Sequence, residues 1–362
     1  MKILLLSTVL EEKTFLEVVK GGHPRNPAAQ NFYFRLLKAL QTSCDVRAIT
    51  PLSFHVQEQE EIRLAFFKPS RLHPWAGANA LEKQAECLSW GGPDIILYDS
   101  LNLQCAKAAL RIGKKRGIPA IPILTDDPRN ITGTGSAYRF LVKRLSRNRP
   151  AYLGLTDGLN DLFNPKKRPF FRFLGIGEDY ISYPCPVEGP YFYYGGALYE
   201  KDGAGSLLRA YRRSKTAIPF YFAGHGPMAK DIKEAAKTDD RIHFLGQLDR
   251  AQNAAFQQHA LLVLNARHYR ESLDLVSLPS KDLEYLANAS RIALTPSKPL
   301  MEEFPEDALW LPEGIDELES ELLSIFDQDG ASVPENGAKE RIASLIGKEA
   351  IGKRIKVFLE SL

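Results

Sequence analysis
The stretch YYGGALYEKDGAGSLLRAYRR, residues 193–213, decides the reading of this chain. It opens on the end of an apolar aromatic run, Tyr191–Tyr194, which reads as a strand. Three small residues follow, Gly195, Gly196 and Ala197, and then a charged turn that carries Lys201. Gly203–Arg213 is predicted as a helix. Strand, glycine-bearing turn and helix make the unit from which parallel sheets are assembled.

The same unit recurs on both sides. Downstream, Phe220–Ala223, Ile242–Leu245, Leu261–Leu264 and Ile292–Leu294 read as strands between helices, with Lys281–Ala287 on one of those helices. Upstream, Lys2–Leu6 is a continuous apolar run that fits a strand buried on both faces. Strands are also predicted at Val46–Ile49, Ile62–Phe67, Asp94–Tyr98, Pro119–Leu124, Tyr152–Leu155 and Pro169–Leu174. Asn26-Pro27 reads as cap and first residue of a helix to Leu40. Further helices are predicted over Asn79–Trp90, up to Arg116 before Gly117, and over Tyr138–Arg147. Residues 175–190 collect Gly and Pro and interrupt the alternation. The expected organisation is a first domain at 1–185, a second at 186–338, and a helix at 339–362 that crosses back to the first. The fold class is α/β, two Rossmann-like parallel-sheet domains facing a cleft, where ligands sit beyond the strands' carboxyl ends.

Composition narrows the function. The chain has 362 residues, enough for two cores, and a formal net charge of +3, too mild to imply nucleic acid. Cys44, Cys87, Cys105 and Cys185 form no C-x-x-C pair, so free thiols in a reducing, cytoplasmic setting are expected. Met1–Leu10 runs straight into Glu11 and Glu12 without a cleavage site, and no apolar run is long enough for a membrane span.

Four segments resemble, in order and spacing, the GT4-like group of GT-B glycosyltransferases, in the variant seen in capsule and exopolysaccharide enzymes. They are residues 193–213, FAGHGP at 222–227, RIHFLGQL at 241–248, and PSKDLEYLANASRIAL at 279–294. The first half is matched only through its Gly-rich loop and LTDDP, 124–128. The resemblance implies a retaining transfer of sugar from a nucleotide sugar to a glycan or lipid-linked acceptor in polysaccharide synthesis, with no metal or other cofactor. Two positions depart from the group's pattern. Its E-x7-E pair keeps Glu284 but has Val276 at the first position, and the Arg that often follows the strand is replaced within Gly195-Gly196-Ala197.

Transfer from a nucleotide sugar develops charge on the leaving diphosphate, which cations and backbone N–H donors must meet. Lys201 is the matching cation by resemblance, and Lys281, beside Ser280 at the start of its helix, is a second. Glu284 matches the ribose-binding acid. Gly21, Gly22 and Gly195 allow close backbone approach to phosphate, and His225 is placed in the cleft by its G-H-G-P turn. Asp126 orients a sugar hydroxyl or helps deprotonate the acceptor, or else it and Asp127 cap the next segment. The Asp327-Gln328-Asp329 triplet follows a helix rather than a strand and is set aside as a metal motif.

A basic cluster, Arg139, Lys143, Arg144, Arg147, Arg149, Lys166, Lys167 and Arg168, is interleaved with Tyr138, Phe140, Leu141, Leu145, Phe170 and Phe171. Two readings stand: a face for an anionic membrane, or a solvated helix and an ordinary strand. Two rivals to the transferase also stand: a nucleotide-sugar epimerase of the same fold, and a non-catalytic subunit that binds nucleotide sugar.

Overall fold
The structure is a computed structural model of the full chain. It describes residues 1–20, 27–57, 59–131, 133–177, 180–270 and 275–362. Gly21, Gly22 and Asn26 therefore lie outside the described residues. The chain divides into two compact units. The first comprises Met1–Glu178, Leu275–Ser277 and Leu345–Leu362, and the second Asp179–Asp274 and Leu278–Ser344.

In the first unit the order is β1 (Lys2–Leu6), α1 (Glu12–Lys20), α2 (Pro27–Gln41), β2 (Asp45–Leu52), β3 (Ile62–Phe66), α3 (Ala76–Glu86), β4 (Ile95–Asp99), α4 (Leu103–Arg116), β5 (Ala120–Leu124), α5 (Ser136–Ser146), β6 (Tyr152–Gly154), α6 (Asp157–Phe163) and β7 (Phe170–Arg172). The strands form one parallel sheet in the order β3-β2-β1-β4-β5-β6-β7. Leu4, Leu6, Ile96 and Tyr98 are buried in one core with Leu81, Cys105 and Ala109 from the helices. Burial on both faces is why these strands read as unbroken apolar runs. Asn102 caps α4 by accepting from the N–H groups of Gln104 and Cys105 at 3.0 and 3.1 Å.

In the second unit follow β8 (Phe192–Ala197), α7 (Ala204–Arg213), β9 (Phe220–His225), α8 (Ala229–Ala236), β10 (Ile242–Gly246), α9 (Arg250–His259), β11 (Leu262–Asn265), α10 (Ser280–Asn288), β12 (Ile292–Leu294), α11 (Lys298–Glu303), β13 (Leu309–Trp310), α12 (Ile315–Asp327) and α13 (Lys339–Ile346). Its sheet is also parallel, in the order β10-β9-β8-β11-β12-β13. Phe192, Tyr211, Phe220, Phe222 and Phe326 make an aromatic core. Asp249 and Gln252 close a reciprocal capping box on α9. The last helix, α14 (Lys348–Glu360), packs on α2 within the first unit.

Several sequence expectations need correction. Gly21-Gly22 does not directly follow the first strand, because α1 intervenes. The helix expected over Asn79–Trp90 runs from Ala76 to Glu86 instead. Trp90 leaves it to donate its indole N–H to Asp45 Oδ2 at 2.6 Å, and Gly91 and Gly92 adopt positive φ behind it. β2 continues through Pro51 to Leu52. Pro51 lies past the residues paired with β1 and has only β3 beside it, so its missing N–H breaks no ladder there. The single helix expected over 339–362 is two, broken at Gly347. The Ile346 carbonyl that would continue it accepts from the Gly177 N–H at 2.7 Å.

Candidate functional site
The second sheet reverses its strand order between β8 and β11, and the region beyond their carboxyl ends is the natural ligand position of that unit. Gly195 and Gly196 close β8 there. The Tyr285 hydroxyl, from α10, donates to the Gly195 carbonyl at 2.8 Å and accepts from the Gly195 N–H at 3.1 Å. That two-way grip fixes α10 against the strand end. One turn earlier on α10, Lys281 donates to the Tyr194 hydroxyl at 3.2 Å, and its ammonium stands 4.6 Å from the Tyr194 ring centroid.

Gly196 has φ +155°, and a Cβ built on it would meet Lys281 Nζ at 2.9 Å. The missing side chain is therefore the space the lysine enters. Gly224, paired with Gly196 near the end of β9, has φ +129°, and a Cβ there would fall onto the Gly196 carbonyl oxygen. The two strand ends pack this closely only because that position is bare.

Around Lys281 the site is highly charged and poorly hydrated. Burial pulls the Lys281 pKa down, while Asp282 and Asp202 push it back up. Burial likewise lowers Arg267, just past β11, against the same two carboxylates. Asp282 is almost fully buried, and burial raises its carboxyl to about 6, with Asn265, Lys281 and Arg267 opposing. Its Oδ1 accepts from Asn265 Nδ2, while Asp282 Oδ2 and Asn265 Oδ1 have no hydrogen-bond partner among the described residues. Two partly buried cations with lowered pKa thus lie beside two carboxylates, and an anion bound there would offset their desolvation.

The other predicted residues fall on the same edge in different states. Lys201 is exposed, in a short 3-10 turn at Glu200–Asp202, with its ammonium 5.7 Å from the Tyr199 ring centroid and its carbonyl accepting from the His268 N–H at 3.0 Å. The start of α7 beyond it is not open to an outside anion: the Glu200 carboxylate lies against Gly205 and is itself ion-paired with Arg209 at 2.6 Å. Glu284 is half-buried, three residues along α10 from Lys281 and on the same face. Ser280 opens α10. His225 is exposed and ends β9 beside Ala197 of β8. Val276, at the first position of the E-x7-E pair, is buried. Sequence reasoning missed Arg267, Asp282 and Asn265. The signal was available in position alone, since Asn265 and Arg267 end and follow a buried strand at the switch point.

No family model matches the chain, and no curated protein matches it. Solved structures do. HepE from Anabaena, in complex with UDP, superposes over all of both chains with TM-score 0.71 at 14% identity. Sucrose-phosphate synthase from Thermosynechococcus elongatus gives 0.68 at 13%, covering 100% of this chain and 98% of that one. The chain has the GT-B fold. UDP-GlcNAc 2-epimerase from Methanocaldococcus jannaschii shares it too, with TM-score 0.57 at 10% identity over the whole of both chains.

In the first unit of this GT-B chain, Asp126 and Asp127 follow β5. Asp126 Oδ1 accepts from the Asp127 N–H and from Asn130 Nδ2, both at 2.7 Å, and burial raises its carboxyl. Asp127 is buried and takes three donors of Arg129: N–H at 2.8 Å, Nε at 2.8 Å and Nη2 at 2.6 Å. Burial would raise Asp127, but Arg129 outweighs it and the carboxyl is lowered. Asp127 is thus committed to its loop, and Asp126 is the freer acid. The Asp327 and Asp329 carboxylates hold the loop after α7, accepting from the Lys215 N–H at 2.8 Å and from the Thr216 hydroxyl. Among the described residues no group of three or more His, Cys, Asp or Glu side chains is placed to hold a metal, and no helix is long and apolar enough to cross a membrane.

Proposed function
We propose that this chain is a glycosyltransferase that takes its sugar from a nucleoside-diphosphate sugar bound by the second unit. The observation that carries the reading is the Lys281 ammonium, desolvated and held over Gly196 at the switch point of a GT-B sheet. In this reading Lys281 and Arg267 neutralise the diphosphate as it leaves, and Lys201 adds a mobile cation from the rim. Glu284 accepts from the ribose hydroxyls. Bare backbone at Gly195 and Gly196 lets phosphate oxygens approach closely. HepE, whose solved complex contains UDP, supports the choice of ligand class.

Asp126 takes the acceptor side of the reaction, orienting or deprotonating a hydroxyl of a glycan or lipid-linked acceptor. The four matching segments favour the GT4-like group, a retaining outcome, and a role in cell-surface polysaccharide synthesis at the inner face of the membrane. The test is turnover of a panel of nucleotide sugars with and without glycan acceptors. Acceptor-dependent release of nucleoside diphosphate supports transfer.

A second reading is favoured by the epimerase that shares the fold over its whole length. It calls for an altered sugar in the absence of any acceptor, which the no-acceptor arm detects. Buried Val276 keeps a non-catalytic nucleotide-sugar-binding subunit as a third reading, supported if donors bind and none turns over.

A further inference from the structure
The first sheet carries a second polar feature at the edge opposite Asp126. Two loops enter β6 and β7 there, residues 147–151 and 164–169. The strands are paired neighbours, and the Tyr152 N–H donates to the Pro169 carbonyl at 3.0 Å, so the loops lie side by side. Between them is a cavity of about 350 Å³ lined by Asn148, Arg149, Pro150, Lys166 and Arg168. Three cations and no acid line it. Arg144, Arg147, Arg149, Lys166, Lys167 and Arg168 make no ion pair with a carboxylate among the described residues. For a chain with a net charge of only +3, that is a concentrated local excess.

Hydrogen bonds hold the backbone of both loops. Buried Asn164 grips Arg168 at both backbone groups, accepting from its N–H and donating to its carbonyl, each at 2.8 Å. This holds Lys167 in the left-handed region at φ 48°. Across the cavity, the Arg149 N–H donates to the Tyr152 hydroxyl at 3.0 Å and Arg149 Nε to the Arg147 carbonyl at 2.8 Å, beside Asn148 at φ 57°. Among the described residues the Nη donors of Arg149 have no acceptor.

The apolar residues of this region do not build a continuous outer face. Leu145 is buried, and Phe171 lies against Phe173 and Phe358 at 6.1 and 5.5 Å between centroids. Phe140 alone among the six interleaved apolar residues is mainly exposed, at 62%. What the region offers is a pocket lined by three cations.

We propose that Arg149, Lys166 and Arg168 form an anion site for a phosphorylated group, separate from the donor site and independent of the transferase reading. The group belongs either to a free phosphorylated molecule or to a phospholipid headgroup, which present the same oxygens.

The test uses the full chain with inorganic pyrophosphate, followed by calorimetric titration and thermal unfolding. In a Lys281→Gln background, which takes away the donor-site cation, binding is expected to weaken at least about tenfold when Arg149→Gln/Lys166→Gln/Arg168→Gln is added. Arg168→Lys should retain most of it, and the substitutions at Arg149, Lys166 and Arg168 should leave the unfolding temperature of their unliganded parent unchanged, since those three side chains are not core. Co-sedimentation with phosphatidylcholine vesicles, with and without phosphatidylglycerol, separates the sources. Pull-down by the anionic vesicles alone that depends on the three cations assigns the headgroup. Pyrophosphate binding without pull-down assigns the free molecule. Pyrophosphate affinity unchanged in the triple variant, or neither probe binding the wild type, overturns the proposal.

Discussion

The Lys281 ammonium fills the place a side chain on Gly196 would need, 2.9 Å from where its Cβ would stand. A cation from α10 thereby serves the end of β8, a strand that supplies none of its own there. If that cation meets the diphosphate, Lys281→Gln should cut turnover by about 10²–10³. Donor affinity should fall with it, while the circular dichroism spectrum stays the same. Steady-state kinetics across a donor series reads the effect, and unchanged kcat/KM would remove Lys281 from the site.

Glu284 is assigned to the ribose, and a ribose contact has its own signature. The wild type should bind a 2′-deoxynucleoside diphosphate about tenfold more weakly than the ribonucleotide, the value of one charge-assisted hydrogen bond. Glu284→Ala should bind both alike. Titration calorimetry of the two ligands against the two proteins decides, and equal discrimination by both proteins contradicts the assignment.

Asp126 and Asp127 are neighbours with opposite expected behaviour. Asp126→Asn keeps an oxygen for Asn130 and for the Asp127 N–H, so it should fold normally and lose acceptor-dependent turnover. Asp127→Ala removes the acceptor of three Arg129 donors from a buried place, at a cost of about 1–3 kcal/mol, and should spare kcat. Urea melts paired with rate assays check both. Loss of activity confined to the Asp127 variant would reverse the roles.

Asp282 gives stability a pH dependence. Its carboxyl is raised from 3.8 to about 6, so the folded chain holds the proton more tightly than the unfolded one. Stability from this group is therefore full below about pH 4 and declines as pH rises through 6, by ~3 kcal/mol in all. Asp282→Asn should match the wild type at pH 4 and exceed it at pH 7, and its amide offers a donor beside the unpartnered Asn265 Oδ1. Denaturant titration at the two pH values measures this. An equal difference at both would show that the proton is not the cause.

Much of the fold was legible in the sequence. Ile3–Leu6 and Ile95–Tyr98 lie in a sheet covered on both faces, and such strands must be apolar throughout. What stayed hidden depends on distant partners. Pro51 disguised the end of β2, because its tolerance rests on where β1 stops pairing. The break at Gly347 depends on Gly177 capturing the Ile346 carbonyl. At the candidate site, Gly195 and Lys281 were each visible, but their juxtaposition is made by the hydroxyls of Tyr194 and Tyr285, for which the sequence suggested no role. Asp282 drew no reading from the sequence, and only the packing of α10 reveals its burial.

The most direct test of the central claim is thermal unfolding of the wild type and Lys281→Gln against a panel of UDP, GDP, ADP and CMP sugars. A ligand present at 100 times its dissociation constant stabilises a fold by ~2.7 kcal/mol, which is readily seen. The account predicts that at least one nucleoside-diphosphate sugar raises the wild-type midpoint and that Lys281→Gln loses most of the shift. No shift with any sugar, or the same shift in both proteins, would contradict it.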